Sequence, residues 1–175
     1  LVTRLANKNN QVVGLDMNSP MLKVALNQLK KSNINNASLF QADALNLPFN
    51  DSSFDVVTIS YGLRNLSNYQ NGLSEISRVL KLNGRLFILD FGKPPNRFIR
   101  NLYYVYLKLV LPVFGLFFCG EPAAYSYILK SLQKYPAQEG VSSILSEIGF
   151  SNISVTNIMF GSMSIHVAEN TIYNK

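Results

Sequence analysis

Three places in this sequence carry an apolar, β-branched run up to a polar side chain that could do chemistry. They are Val12-Val13-Gly14-Leu15-Asp16, the Gln41-Ala42-Asp43-Ala44 turn, and Phe54-Asp55-Val56-Val57-Thr58-Ile59-Ser60. A carboxylate at the carboxyl end of a strand, as at Asp16, can accept hydrogen bonds from both vicinal hydroxyls of a ribose. Asp43 could accept from an adenine amino group while the Ala44 backbone N–H donates to a ring nitrogen. Each acid has an alternative use as the cap of a following helix. Ser60 closes the third run. Three consecutive strand ends with polar termini point to one crevice outside the carboxyl edge of a sheet, where open α/β folds receive ligands.

The elements that must position these residues follow from hydrophobic periodicity. Gln11 to Asp16 reads as a buried strand, and Ser19-Pro20 opens a helix through about Lys31 with Met21, Leu22, Ala25, Leu26 and Leu29 as its apolar stripe. Asn33 to Asn36 is a turn before a short strand, Ser38 to Gln41. The run Phe54 to Ser60 is continuous enough in apolar character to predict a central parallel strand covered on both faces. Leu73, Ile76, Val79 and Leu80 define the next helix, stopped by Asn83-Gly84, and Arg85 to Asp90 gives another buried strand. Tyr125 to Leu132 and Val141 to Ile148 read as helices, and Ile153 to Met159 with Met163 to Ala168 as a closing hairpin across Gly161-Ser162. Strands alternating with helices predict an α/β fold: one mostly parallel sheet with helices on both faces and a C-terminal antiparallel β-hairpin. The 175 residues fit one domain.

Composition narrows the chemistry. The net charge of +6, from 16 Lys and Arg against 10 Asp and Glu, favours anionic cofactors or an anionic membrane surface. The cations are scattered, which argues against nucleic acid. A single cysteine, Cys119, predicts a buried small hydrophobe, and with one histidine in the chain a metal site is not expected. His166, in the last predicted strand, reads as structural. Leu102 to Cys119 is apolar apart from Lys108, but Pro112 and Gly115 interrupt it, so two short amphipathic helices are predicted rather than a membrane span.

Taken together, the strand-acid segment, the Gln41-Ala42-Asp43-Ala44 turn and the Phe54 to Ser60 strand resemble the successive cofactor motifs of class I methyltransferases, which have a Rossmann-like fold. Gly62-Leu63-Arg64-Asn65, Arg78-Val79-Leu80-Lys81 with Asn83-Gly84, and Leu89-Asp90-Phe91-Gly92-Lys93-Pro94 resemble the ubiquinone/menaquinone biosynthesis C-methyltransferases. The likeness extends to Tyr125-Ser126-Tyr127-Ile128 and Glu147-Ile148-Gly149-Phe150; one departure is Asn83, where the family usually has Pro.

The resemblance implies S-adenosylmethionine as cofactor, with Asp16 on the ribose, Asp43 and Ala44 on adenine, and Ser60 beside it. It implies that Arg64 stabilises a developing phenolate and Asn65 orients a hydroxyl or a water during C-methylation of a prenylated quinone precursor. It also places the family's first strand and glycine-rich loop ahead of Leu1, so the chain is expected to be one domain lacking them, with the Val12 and Phe54 strands left without the strand that separates them. Residues 94–140 are expected to be a helical insertion whose apolar wall, Phe98 to Phe118, suits an isoprenoid tail, with Arg97, Arg100 and Lys108 resting on anionic lipid. Expected partners are the quinone or hydroquinone substrate, a membrane surface and a second copy of the chain. The expected location is the cytoplasm or the face of a membrane, on the matrix or stromal side in a eukaryote. Methylation of another lipophilic or phenolic acceptor, or a non-catalytic binding role, would use the same residues; cofactor binding separates the last from the other two.

Overall fold

Asparagine side chains start three helices of this chain. In the computed structural model, which describes residues 1–6, 10–110, 113 and 122–172, with the backbone alone for 122–127, the Asn18 side chain accepts the Met21 N–H and caps α2 (Ser19–Lys31). Asn68 does the same for α3 (Tyr69–Val79), and Asn96 for α4 (Arg97–Val105). An N-cap oxygen satisfies one of the N–H groups a helix start leaves unpaired, which is why Asn is favoured there.

The chain divides into two compact units, Leu1–Phe49 and Asn50–Lys175. The first holds α1 (Val2–Ala6), β1 (Val12–Asp16), α2 and β2 (Ala37–Gln41). Its two strands are parallel and in register from Val12 opposite Ala37 to Asp16 opposite Gln41. Gly14 sits where a Cβ would come within 2.7 Å of Leu39 Cδ2, so a larger residue there would make the Leu39 side chain shift. Asn36 Nδ2 donates to Ala6 O at 2.7 Å and to Asn10 O at 2.6 Å, joining the end of α1 to the start of the sheet.

The second unit holds β3 (Phe54–Ser60), a 3₁₀ turn at Leu63–Asn65, α3, β4 (Leu80–Phe91), α4 continued by a π-helical turn at Tyr106–Val110, α5 (Pro122–Lys134), α6 (Ala137–Ile148), β5 (Phe150–Ile158) and β6 (Met163–Asn170). Its sheet runs β3-β4-β6-β5, with β3 parallel to β4 and the other pairings antiparallel. One face is the core: Leu86, Ile88 and Asp90 of β4 alternate inward beside Ser164, His166 and Ala168 of β6. Leu73, Ile76 and Val79 of α3, Leu132 of α5, Tyr135, and Val141 and Leu145 of α6 complete the buried set. Asn170 is fully buried; its Nδ2 donates to Ser77 O and Leu80 O, both at 3.1 Å, and its Oδ1 accepts from the Ser77 hydroxyl at 3.0 Å. These bonds fasten the last strand to the end of α3.

Several expectations need correction. The Val12 and Phe54 strands do not lie in one sheet: among the described residues β1 is bonded only to β2, and β3 only to β4. Among the described residues the Phe54 to Ser60 strand is therefore an edge rather than a centre, and Val56 is 51% exposed. Apolar character alone carries no information on which neighbour is present. Asn83-Gly84 does not stop α3, which ends at Val79; Asn83 takes a left-handed φ of 61° within β4. The helix expected over Val141 to Ile148 begins a turn earlier, at Ala137, and ends on Gly149 with φ 106°. The closing hairpin stands where the pattern places it, two residues longer on β6 and three on the start of β5. Of the Leu102 to Cys119 segment, α4 and the turn after it are helical; Pro112, Gly115, Phe118 and Cys119 lie outside the described residues. Among the described residues no helix is long and apolar enough to cross a membrane.

Candidate functional site

In the first unit, the parallel pairing of β1 and β2 brings Asp16 and Gln41 side by side at the carboxyl edge of the sheet, with Asp43 two residues beyond. Gln41 Nε2 donates to Met17 O at 3.1 Å and ties the two strand ends. Asp16 does not cap α2, since Asn18 does; its Oδ1 accepts the Asn18 N–H at 2.8 Å, and its Oδ2 has no partner among the described residues. Asp43 repeats the pattern, Oδ1 accepting the Leu45 N–H at 2.9 Å. Both carboxylates are exposed, and the Ala44 N–H makes no hydrogen bond among the described residues. Asp16 also borders a cavity of about 310 Å³ lined by Val2, Gly14, Met21, Leu22 and Leu39. Each acid thus spends one oxygen on folding its own turn and keeps the other, together with an amide donor, for something outside the chain. This donor and acceptor set fits a ribose and an adenine.

In the second unit, β3 ends on Ser60, opposite Leu89 of β4, and its exposed hydroxyl makes no hydrogen bond among the described residues. Tyr61 follows in a left-handed conformation, φ 55°, which turns the chain sharply into the 3₁₀ turn. Its carbonyl then accepts from both residues singled out in the sequence, Arg64 Nη1 at 2.6 Å and Asn65 Nδ2 at 3.3 Å. Arg64 is anchored further by Asp90, whose Oδ2 accepts the Arg64 backbone N–H at 3.0 Å and whose Oδ1 accepts Nη1 at 3.2 Å. The pair is buried, with the side chains 9% and 1% exposed. The guanidinium also lies over the Phe91 ring, 4.8 Å from its centroid, a cation–π contact. Arg64 Nε is buried without a partner among the described residues.

Around this pair the buried face is polar. The Tyr135 hydroxyl, Ser164 Oγ and His166 Nδ1 are buried without partners among the described residues, and His166 Nε2 lies 3.1 Å from Gln138 O. Burial pushes the His166 imidazolium below its ordinary range, against the opposing pull of the Gln138 bond and Asp90, so the ring is neutral at pH 7. Its place inside the sheet agrees with a structural role. Burial, with Tyr104 nearby, pushes the Tyr103 hydroxyl up to about 12 in spite of Arg64, and burial raises Tyr135 too, so both stay protonated donors.

Sequence reasoning picked out Asp16, Asp43, Ala44, Ser60, Arg64 and Asn65. The structure groups the first three on one sheet edge of the first unit and the last three on one turn of the second. It missed Asp90 as the partner of Arg64, although that residue ends its strand inside a quoted motif. Its position at a fourth strand end was the available signal. Among the described residues no cluster of His, Cys, Asp and Glu could hold a metal ion.

With this geometry in hand, the likeness to known proteins is decisive. A model of the ubiE/COQ5 methyltransferase family matches residues 1–170. The chain belongs to that family. It is 36% identical over 165 residues to the ubiquinone/menaquinone biosynthesis C-methyltransferase UbiE of Shewanella frigidimarina, and 34% identical to the protein of the same name in Shewanella pealeana. In both cases the match covers 94% of this chain and 66% of the relative, so the chain spans just under two thirds of the length of these relatives. The fold is that of the Rossmann-like methyltransferases: a solved SAM-dependent methyltransferase from Aquifex aeolicus superposes with a TM-score of 0.65 at 17% identity, over 96% of this chain and 73% of that one.

Proposed function

We propose that this protein transfers a methyl group from S-adenosylmethionine to a ring carbon of a prenylated quinone precursor of the demethylmenaquinone, demethylphylloquinone or ubiquinone-intermediate type. The observation that carries the reading is the Arg64-Asn65 turn, held by Asp90 at the carboxyl end of β3 in a chain of this family. When bound, S-adenosylmethionine supplies an electrophilic methyl group on a sulfonium. In the first unit Asp16 Oδ2 would accept from the ribose hydroxyls, Asp43 Oδ2 from the adenine amino group, and the Ala44 N–H would donate to a ring nitrogen. On the acceptor side Arg64 places a fixed positive charge where a hydroquinone hydroxyl becomes phenolate, which makes the ring carbon more nucleophilic. Asn65 orients that hydroxyl, or a water that takes its proton. Positioning in line with the methyl group supplies much of the remaining rate.

The acceptor arrives in lipid, and α4 suits that supply. Phe98, Leu102, Val105 and Leu109 recur at helical spacing and are 77%, 62%, 50% and 60% exposed. Between Asp90 and Glu121 the chain carries Lys93, Arg97, Arg100 and Lys108 and no acid. Such a helix rests on an anionic membrane surface, apolar face inward and cations toward the headgroups, and residues 94–140 then form the substrate-side insertion. The test is methylation by the protein as its gene encodes it, given S-adenosylmethionine and a reduced prenylated quinone precursor in anionic vesicles. The expected product carries one added ring methyl group. Equal rates on a water-soluble phenol would point to another acceptor, cofactor binding without transfer would point to a binding role, and concentration-dependent dimers instead of vesicle binding would assign the α4 face to a second copy.

A further inference from the structure

We propose that Asp90 is a positioning residue that acts on the acceptor side through Arg64, fixing its main chain and its guanidinium together. This rests on the functional reading above for its effect on turnover, and on geometry alone for its effect on Arg64. The carboxylate accepts three hydrogen bonds: Arg64 N–H on Oδ2 at 3.0 Å, and Arg64 Nη1 at 3.2 Å and Phe91 N–H at 2.8 Å on Oδ1. The Phe91 amide aims the carboxylate, and the other two bonds both go to one residue. Holding the backbone of residue 64 sets where the side chain leaves the turn; holding Nη1 sets where it ends. The Tyr61 carbonyl and the Phe91 ring close the remaining freedom, at 2.6 Å and 4.8 Å.

A purely stabilising role explains this poorly. Burying an ion pair costs desolvation that its attraction barely repays, and apolar residues of the same volume often stabilise as well or better. What the pair secures that apolar residues cannot is a cation in one orientation before the acceptor arrives, so that no reorganisation is needed as charge develops. Arg64 Nε, buried and without a partner among the described residues, is a donor that this arrangement leaves uncommitted.

The test uses the protein as its gene encodes it. Asp90→Asn keeps the shape but removes the charge and turns an amide NH2 toward the Arg64 N–H that Oδ2 accepts, or toward the two donors on Oδ1. Turnover should fall about tenfold to a hundredfold, the range of a charged hydrogen bond, with cofactor affinity unchanged. In an Arg64→Ala background the same change should alter turnover by less than about twofold, because a residue acting through Arg64 has nothing left to act on. Hydrogen exchange gives a readout independent of activity: the Arg64 amide should lose protection while the amides of the β4–β6 ladder keep theirs. If Asp90→Asn unfolds the protein, the same measurements are made on Asp90→Glu, which keeps the charge and displaces it by one methylene; Arg64 should again lose protection and turnover should fall. Unchanged Arg64 exchange, equal turnover, or losses that multiply in the double variant would each overturn the proposal. A parent protein inactive on every quinone precursor would count against the functional reading, and the exchange contrast at Arg64 would still decide whether Asp90 holds that residue.

Discussion

The carboxylates of the two units are built for opposite purposes. Asp90 is 1% exposed and both its oxygens are engaged by the chain. Asp16 and Asp43 are exposed, each with one oxygen on its own turn and the other without a partner among the described residues. A buried acid with its lone pairs filled prepares geometry, because any movement would leave a charge unpaired in low dielectric. An exposed acid with an oxygen to spare is held by its turn yet still has a bond to give. Under the proposed function, the contrast separates residues that arrange the site from residues that take the ligand.

The contrast breaks most visibly at Arg64. Arg64→Ala should lower turnover by about 10²–10³-fold, the loss expected for one preorganised donor at a developing oxyanion. It should also cost roughly 3–5 kcal/mol of stability, because Asp90 is left buried and unpaired. Arg64→Lys keeps a charge, and should recover much of the stability but not full turnover, since an ammonium lacks the planar group that lies over the Phe91 ring and fixes its orientation. Turnover and thermal unfolding, measured on both variants, decide it. Equal recovery of both by lysine would mean that orientation is not what Arg64 contributes.

Asp16→Ala should behave in the reverse way. Cofactor affinity should fall about tenfold to a hundredfold as the ribose hydroxyls lose an ionised acceptor, while the fold is little affected. Calorimetric titration with S-adenosylmethionine checks this. An unchanged dissociation constant in a folded variant would remove Asp16 from the ligand-taking group.

How far the sequence foretells these roles differs between the two groups. Strand ends are local signals, and they pointed to Asp16, Asp43 and Ser60, whereas the resemblance of Gly62-Leu63-Arg64-Asn65 to a family motif supplied Arg64 and Asn65. The Arg64–Asp90 pair is not local: it spans 26 positions, and only the parallel pairing of β3 with β4 places Tyr61 and Phe91 beside one another. The same limit explains Phe54 to Ser60. Its β-branched run signals a strand, but whether that strand is flanked on one side or two depends on hydrogen-bond partners elsewhere in the chain. Helix starts were read to within a residue at Ser19 and less well at Ala137, where Pro136 precedes the helix and no side-chain cap marks it.

The buried face behind Asp90 makes a third test through pH. His166 is held below its ordinary value of 6.5, so between its folded pKa and 6.5 the unfolded chain binds more protons than the folded one. Stability should therefore rise with pH through that window and be lost as pH falls below about 6.5, at up to about 1.4 kcal/mol per pH unit from this group. His166→Gln, which can still donate to Gln138 O, should flatten this part of the stability profile. Denaturant unfolding at pH 5.5 and 7.5, values within ~1 unit of the ordinary histidine pKa, would show an unaltered slope if His166 is already protonated in the fold.

The smallest effect bears on the exposed side of the comparison and settles whether Asp16 belongs there. A strand-end acid can look like a ligand group while merely starting the next helix, and in this chain that work falls to Asn18, whose side chain accepts the Met21 N–H at 3.1 Å. Asn18→Ala should then cost about 1 kcal/mol, the usual loss for an N-cap, which lowers the melting temperature by roughly 2–4 °C in a domain of this size. It should leave cofactor affinity nearly unchanged, because the Asp16 Oδ1 bond is to the Asn18 backbone N–H, which alanine also supplies. Asp16→Ala should show the mirror image, with lost affinity and a smaller shift in melting temperature. If instead both variants lose stability equally and neither loses affinity, the Asp16 carboxylate is part of the helix start, and the distinction between acids that arrange and acids that bind would have to be drawn at Asp43 alone.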